Sequence, residues 1–512
     1  MPVHTGSAPR APSVAANSAL NLLGMVAPGV AVIVAMPFLK RYLGTERVGF
    51  MTLAWALVGY FSLFDLGIGR ALTKLVAEKV GAGERASLGH LIWTALALMM
   101  GLGVGAGVTL AVSARWLVES ALNIPAELRS ETMTAIRLLG LSVPLVVSSA
   151  GFRGILEAQG RFLTSNAVRA PLGVWLFASP LLVIPFGSQS LAWVAGILFA
   201  GRLVAWCAYV VACLRSLPVL SERFVLDAKH VGPLLRFGGW MTVSNVISPL
   251  MAYMDRFLLG SRLSLQEVAW YATPFELVSK VLLLASAVAS VLFPMFSALT
   301  SGRREEAKRL ARLGAQYMGL LVFIPTFAAS LFAREGLTLW LGPVFADHAE
   351  RVVQFIALGC LINSIASVPF ALLQGAGRPD VTAKIHLLEL PVYAVAVFAL
   401  TARFGITGTA IAWTLRVTID LFALEIAARY LAGQSVRPSL RASLASAAIL
   451  ALFGGSFLTI PLSIKLMLFG VIVAGVAILV WNVLLERDGL GHLKEALRAG
   501  LSFKSLRRHG RG

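Results

Sequence analysis

Charged side chains within long apolar segments are the residues of this chain with the most potential for chemistry. Each charge at the centre of a membrane helix costs about 2.5 to 3.5 kcal/mol on insertion scales, so it should face a partner or a water-filled cavity. Glu276 and Lys280 are spaced i,i+4, which allows an ion pair on one helix face. The same spacing relates Arg416 to Asp420. A structural ion pair is therefore one interpretation of both couples, and a ligand site is the other.

Two further charges, Arg202 and Glu389, have no opposite charge at that spacing. They are stronger candidates for contact with water or a ligand. Charges near the ends of apolar segments could instead reach the membrane surface; these are Asp65, Arg70, Arg137, Asp255 and Arg256.

Together, these candidates carry slightly more positive than negative charge. Arginine can hold an anionic headgroup such as a pyrophosphate through charge-assisted, often bidentate contacts. The basic candidates for such a site are Arg70, Arg202, Arg256, Lys280 and Arg416. A surplus carboxylate could exchange a proton or a sodium ion, and the acidic candidates are Asp65, Asp255, Glu276, Glu389 and Asp420.

The composition indicates a polytopic membrane protein. Of the 512 residues, 58% are hydrophobic and only 13% are charged, too few for the surface of a soluble globule. The net charge of +19 lies mostly in short connections between apolar segments, where lipid headgroups explain it better than nucleic acid does. The three cysteines lie in apolar segments, which favours packing over a disulfide or metal cluster.

An internal repeat organises the chain. Gly154-Ile-Leu-Glu-Ala-Gln-Gly-Arg161 is echoed by Ala371-Leu-Leu-Gln-Gly-Ala-Gly-Arg378, an offset of 378 − 161 = 217 residues. Tyr42-Leu-Gly44 is echoed by Leu258-Leu-Gly260, 260 − 44 = 216 residues later. Two matches in register predict two homologous halves.

The apolar runs predict an all-α protein of about fourteen transmembrane helices, as two parallel-repeat lobes of six plus two C-terminal helices. Lys and Arg bias places both termini in the cytoplasm, because about two thirds of the 44 basic residues then face inward. The predicted segments are a disordered tail 1–17, an N-lobe 18–215, a cytoplasmic linker 216–236, a C-lobe 237–430, helices 13 and 14 within 441–485, and a basic tail 486–512.

Motifs for enzyme chemistry are missing from the sequence. The predicted outer connections are short and gather no Asp, Glu or His cluster of the kind that hydrolysis or glycosyl transfer requires. The glycine run Gly101-Leu-Gly-Val-Gly-Ala-Gly107 lies inside an apolar segment without the Lys-Ser/Thr of a phosphate loop, so it predicts close helix packing. We therefore expect a protein that is not an enzyme and is not driven directly by ATP.

Several short motifs in a fixed order resemble those of the polysaccharide transporter family, which includes O-antigen and exopolysaccharide flippases. That family belongs to the superfamily of the multidrug and toxin extruders and the lipid II flippase. The motifs are Phe38-Leu-Lys-Arg-Tyr-Leu-Gly-Thr-Glu-Arg-Val-Gly49, Phe64-Asp-Leu-Gly-Ile-Gly69, Leu156-Glu-Ala-Gln-Gly-Arg161, Met254-Asp-Arg-Phe257 and Leu373-Gln-Gly-Ala-Gly-Arg378.

The resemblance implies a V-shaped, two-lobed transporter that flips undecaprenyl-pyrophosphate-linked oligosaccharides across the inner membrane by alternating access. Membrane lipids, a polysaccharide polymerase and glycosyltransferases are the implied partners, and no cofactor is implied beyond proton or sodium coupling. Positions matching the family's cationic cavity are Arg41, Arg70, Arg202, Arg256 and Arg416.

Four alternatives stay open on the sequence alone. A multidrug or cation antiporter of the same superfamily would want an acidic cavity, and a membrane enzyme of polysaccharide assembly would want a catalytic loop. A lipid II flippase is disfavoured because Gly24-Met-Val-Ala-Pro28 lacks the basic-acidic pair that branch carries in its first helix. A scaffold that recruits glycosyltransferases without transporting anything is the fourth.

Overall fold

The computed structural model describes residues 14–61, 68–82, 88–186, 190–222, 225–232, 250–251, 253–299, 304–431 and 440–485. The secondary structure within these ranges is entirely helical. Seven helices of the described ranges are long and apolar enough to cross a membrane. The chain is therefore a multi-pass membrane protein, as its composition predicts. Residues 1–13 of the predicted first tail, the basic tail 486–512 and most of the predicted span 237–259 lie outside the described residues.

The helices are given in chain order. The first seven are α1 (Val14–Leu43), α2 (Thr45–Phe61), α3 (Ile68–Ala82), α4 (Leu88–Trp116), α5 (Ala126–Ala158), α6 (Phe162–Ala178) and α7 (Leu191–Ser216). They are followed by α8 (253–262), α9 (Leu265–Val278), α10 (Leu282–Leu299), α11 (Arg304–Leu331), α12 (Ala333–Leu341), α13 (Pro343–Gly375), α14 (Pro379–Leu431), α15 (Leu440–Ser456) and α16 (Leu462–Leu485).

The 217-residue offset recurs in the bounds of the helices. Helices α5 and α13 each contain 33 residues, and both their first and last residues differ by 217 (343 − 126 and 375 − 158). Each ends in the same way, with Gly160 or Gly377 at φ +73. Arg161 N then donates to Leu156 O at 2.9 Å and Arg378 N to Leu373 O at 3.0 Å, the pattern of a Schellman cap.

The second sequence match has no such structural counterpart. Gly44 follows α1 with φ +81, whereas Gly260 lies within the helical segment α8. The full count of fourteen helices and the bounds of the two lobes stay predictions.

The chain divides into two compact units: Met1–Tyr253 with Gly260–Leu265, and Met254–Leu259 with Gln266–Gly512. In the first unit, α4 and α5 approach closely through the predicted glycine run. A Cβ on Gly103 would lie 2.6 Å from Pro144 Cα, and one on Gly140 would lie 2.8 Å from Gly107 O. Close packing of small residues is thus confirmed for this motif.

In the second unit, α14 folds back on itself as a helical hairpin. Gly405, with φ +57 and ψ −141, separates a first arm (379–404) from a second arm (406–431). Near the turn, the Thr401 and Thr409 hydroxyls lie 2.8 Å apart. A Cβ on Gly408 would overlap the Leu400 carbonyl, so only glycine permits this approach of the two arms.

The last two helices attach to the same unit by polar contacts. Ser456 at the end of α15 lies 2.6 Å from Ser330 of α11 and accepts a hydrogen bond at its carbonyl from Gln354 of α13. Lys465 of α16 is buried and donates to Glu335 of α12 at 2.8 Å. These contacts fix α15 and α16 against the other helices of the second unit.

Replacing Gly408 by Ala should destabilise the hairpin by about 1 to 3 kcal/mol, the usual range for overpacking, because the arms must separate to admit a methyl group. Thermal unfolding of the purified protein in detergent measures the change. The control is Gly336→Ala in α12, where a Cβ would meet none of the described atoms within 4 Å. An equal effect of the two substitutions would contradict the close contact.

Candidate functional site

The first group of buried charges in the second unit lies where α8 meets α9. Arg256 Nη2 donates to Glu276 Oε1 at 2.8 Å, and Lys280 Nζ donates to Glu276 Oε2 at 3.1 Å. Tyr271 donates to Asp255 Oδ2 at 2.6 Å, and Asp255 Oδ1 accepts from the Arg256 backbone N–H at 2.7 Å. We call these five residues the Glu276 cluster.

The turn that carries Lys280 interrupts a span that the sequence predicts as one helix. A 3₁₀ segment, Ser279–Val281, separates α9 from α10. It keeps the Lys280 ammonium one turn beyond Glu276, so the predicted i,i+4 pair is confirmed. The structure adds Arg256, which makes Glu276 the shared acceptor of two cations.

The second group lies between the two arms of α14. Arg416 Nε is 3.6 Å from Glu389 Oε2, and His386 Nε2 is 3.6 Å from Asp420 Oδ1. The Arg416 guanidinium also lies over the Tyr393 ring, 5.9 Å from its centroid. We call these five residues the hairpin cluster. The predicted i,i+4 pairing of Arg416 with Asp420 is wrong, because Arg416 is directed across the hairpin to the other arm.

The register of the hairpin explains both cross-arm pairs. Residue numbers that face each other across a two-helix hairpin have a nearly constant sum, and the pairs 386 with 420, 389 with 416 and 401 with 409 all obey this rule. His386 and Glu389 lie on one face of the first arm because they are spaced i,i+3. The turn at Gly405 therefore decides which charges meet.

Aromatic side chains connect the two clusters within the second unit. The Arg256 guanidinium lies 5.1 Å from the Phe275 ring centroid, and Phe275 packs edge-on against Trp413 at 5.2 Å. Arg416 is also close enough to interact electrostatically with Asp255. The two clusters thus form one partly buried electrostatic network.

Carboxylates outnumber cations in this network. The two clusters contain four carboxylates (Asp255, Glu276, Glu389 and Asp420) and three permanent cations (Arg256, Lys280 and Arg416). Of these, Asp255, Arg256, Glu389 and Asp420 are buried. An uncompensated buried charge costs several kcal/mol, so an eighth charge, positive in sign, would be favoured here.

A cleft of about 230 Å³ runs along the hairpin, and its polar lining residues are Glu389, Tyr393 and Arg416. Its other walls are apolar and include the exposed side chains of Leu388 and Val392. The three groups His386, Glu389 and Asp420 offer ligand atoms that lie within 4.8 Å of one another. The hairpin could therefore hold a small cation.

In the first unit, Arg202 of α7 is buried, with 8% of its surface exposed. Its Nη1 donates to the hydroxyl of Ser142 on α5 at 2.7 Å. No carboxylate of the described residues lies within ion-pair distance of this guanidinium. Arg202 thus keeps donors that could bind an anion.

The other predicted site residues of the first unit contribute less. Arg41 is exposed in the last turn of α1. Arg70 lies in α3, but its side chain is not described. Asp65 lies outside the described residues. A single cavity that unites all of the predicted residues stays a prediction.

Three members of the network were not identified from the sequence: His386, Tyr271 and Tyr393. A search for permanent charges in apolar segments passes over all three, because neither imidazole nor phenol carries a permanent charge. For His386 a signal was available, since a histidine one turn before Glu389 in an apolar run is as unusual as the carboxylate.

The helical fold, with seven membrane-length apolar helices among the described residues, defines a multi-pass membrane protein. The sequence model of the family described as "Polysaccharide biosynthesis protein" matches residues 14–300, more than half of the chain. The chain belongs to this family, which is a family of transporters and not of enzymes.

Curated relatives extend the match along the chain. A Shigella flexneri protein described as a candidate O-antigen transporter is 28% identical over 414 residues, covering 81% of this chain and 97% of the relative. The lipopolysaccharide biosynthesis protein WzxC of Escherichia coli K12 is 20% identical over 409 residues, covering 77% of this chain and 75% of the relative.

Solved structures show the same fold at low identity. The lipid II flippase MurJ, in an inward closed conformation, superposes with a TM-score of 0.71 at 11% identity, covering 92% of this chain and all of that one. An inward-facing multidrug resistance transporter of the MATE family gives a TM-score of 0.66 at 15% identity, covering 80% and 94% of the two chains.

Replacing Arg256 by Gln should lower stability by about 3 kcal/mol, because removal of one partner leaves buried carboxylates without their main counter-charge. The guanidinium is only 3% exposed and bonds Glu276 at 2.8 Å. Thermal unfolding in detergent measures the change. The matched control is Arg334→Gln, whose ion pairs are 51% exposed on the arginine side and should be worth less than about 1 kcal/mol. Equal losses would show that the Glu276 cluster contributes no more than a surface pair.

Proposed function

We propose that this protein flips undecaprenyl-pyrophosphate-linked oligosaccharide units from the cytoplasmic to the periplasmic leaflet of the inner membrane, for assembly of a surface polysaccharide. Family membership supports a role in polysaccharide biosynthesis. The Shigella relative, described as a candidate O-antigen transporter, supports a lipid-linked glycan as the substrate. Both termini are proposed to be cytoplasmic, on the Lys and Arg bias.

Arg202 is the observation that carries this proposal. A guanidinium buried in a candidate membrane span is costly, and a neutral hydroxyl at 2.7 Å does not offset its charge. A pyrophosphate would offset this charge, because it is an anion and accepts two hydrogen bonds from the planar guanidinium. The substrate headgroup then replaces water around the arginine as it crosses the hydrocarbon.

Alternating access is the proposed mechanism. The polyprenyl tail stays in lipid while the headgroup moves, and the protein lowers the barrier by supplying fixed polar contacts in place of water. The excess of carboxylates in the second unit supports coupling to a cation gradient. It is also the observation that favours the rival function, a cation or drug antiporter of the same fold.

Arg202→Gln should reduce export by about tenfold or more, since hydrogen bonds to charged groups are worth about 1.5 to 3 kcal/mol each. The measurement uses a strain that lacks the gene and asks whether lipid-linked oligosaccharide accumulates in the cytoplasmic leaflet, by leaflet-restricted labelling and mass spectrometry. Wild type should clear the accumulated lipid, Arg202→Lys should clear part of it, and Arg202→Gln should not.

Arg215→Gln is the control, because Arg215 lies exposed on the same helix. Full clearance by Arg202→Gln would favour a scaffold that recruits glycosyltransferases or a polymerase over a transporter with an anion site. If no lipid-linked sugar accumulates in the deletion strain and sensitivity to cationic drugs rises, the antiporter replaces the flippase.

A further inference from the structure

The hairpin cluster contains polar atoms whose hydrogen-bonding capacity is not used. Both Glu389 oxygens and Asp420 Oδ1 are buried without a hydrogen bond within the described part of the chain. Glu389 is 6% exposed and Asp420 is 5% exposed. A buried carboxylate without hydrogen bonds costs about 1 to 3 kcal/mol or more for each unsatisfied group, so the site as it stands is incomplete.

The charge balance indicates what is missing. With neutral His386, the cluster has two negative carboxylates and one positive guanidinium, a net charge of −1. One monovalent cation would neutralise it, whereas a divalent metal would leave a net positive charge beside the Arg416 guanidinium. The balance therefore favours a single positive charge.

The ligand atoms distinguish a proton from a sodium ion. Alkali and alkaline-earth cations prefer a shell of oxygen ligands, and one of the three groups here is an imidazole nitrogen. His386 Nε2 lies 3.6 Å from Asp420 Oδ1, where a protonated imidazole would form an ion pair and a neutral one gains little. The Phe370 ring lies nearly parallel to the imidazole, with 6.0 Å between the two ring centroids.

We propose that His386, Glu389 and Asp420 form a binding site for one proton, taken up by the His386 imidazole and shared with Asp420. The ionisable groups that face it on the hairpin are Glu389, Tyr393, Arg416 and Asp420. From α13, which packs against both arms, the facing side chain is the neutral Phe370. Three ionisable groups of the Glu276 cluster lie one step further away. Asp255 is close to Arg416 and Tyr393, and Arg256 and Tyr271 are close to Tyr393.

The test is nitrogen NMR of the full-length protein in lipid nanodiscs, with the seven histidines labelled and no substrate added. Ring nitrogen shifts distinguish imidazolium from neutral imidazole, and His386→Gln and His348→Gln assign two of the signals. His348, exposed on α13, is the internal reference. At the pH where His348 is half protonated, His386 should be fully imidazolium in wild type and neutral in Asp420→Asn, where the cluster is neutral without a proton.

Two results would overturn the proposal: neutral His386 in wild type at that pH, or imidazolium that persists in Asp420→Asn. Replacing potassium chloride by sodium chloride, or adding equimolar Zn²⁺, should leave the His386 signal unchanged. A change with either ion would assign the site to that metal. If His386→Gln fails to fold, the wild-type and Asp420→Asn spectra still decide, because Asn is isosteric and removes an uncompensated charge.

The role of this proton in transport rests on the proposed function, but its binding does not. The NMR experiment contains no substrate, so it can succeed even if the deletion strain accumulates no lipid-linked sugar. In that case the flippase proposal falls while the proton site stands.

Discussion

The need to neutralise charges inside an apolar helical bundle governs the second unit. Glu276 lies between Arg256 and Lys280, and Asp255 accepts from the Tyr271 hydroxyl and the Arg256 amide. The Arg256–Glu276 and Tyr271–Asp255 contacts join α8 to α9, whereas the other two are between residues close in sequence. The charges therefore act as connectors: α8, α9 and the 3₁₀ turn must keep their relative positions for each carboxylate to remain compensated. The Phe275 ring lies 5.1 Å from the Arg256 guanidinium and adds a cation–π contact to this group.

The hairpin of α14 shows how a backbone feature selects an electrostatic partner. Gly405 adopts a conformation that L side chains rarely take, and Gly408 allows the arms to touch at the turn. The resulting register sets Glu389 against Arg416 and His386 against Asp420. A register shifted by one residue would turn these side chains by about 100° around each helix axis and separate the pairs. The two glycines thus determine which charged side chains pair with each other about three helical turns from the bend.

The sequence was sufficient to predict interactions that are local or repeated. Composition predicts the membrane fold, the Glu276–Lys280 pair follows from i,i+4 spacing, and the glycine run on α4 predicts close packing. The caps after α5 and α13 share a motif because the same backbone turn requires the same glycine. Interactions across the hairpin could not be predicted in this way, since the sequence alone does not give the register. The Arg416–Asp420 prediction failed for that reason: the carboxylate of another helix arm competed successfully with the local one.

The buried charges of the two units differ in sign, and this difference bears on what each unit can bind. In the first, Arg202 has a hydroxyl as its described partner, which leaves a positive charge to be satisfied. In the second, three buried carboxylates (Asp255, Glu389 and Asp420) and the partly exposed Glu276 lie among three permanent cations, of which only Arg256 is buried, which leaves a negative charge. The proposed function accordingly assigns an anion to the first unit and a cation to the second. A transporter with this division could bind an anionic substrate and a driving cation at separate sites, so that each binding step neutralises a different buried charge. Coupling would then require the two steps to favour different conformations, because a ligand shifts an equilibrium only through its differential affinity for the two states.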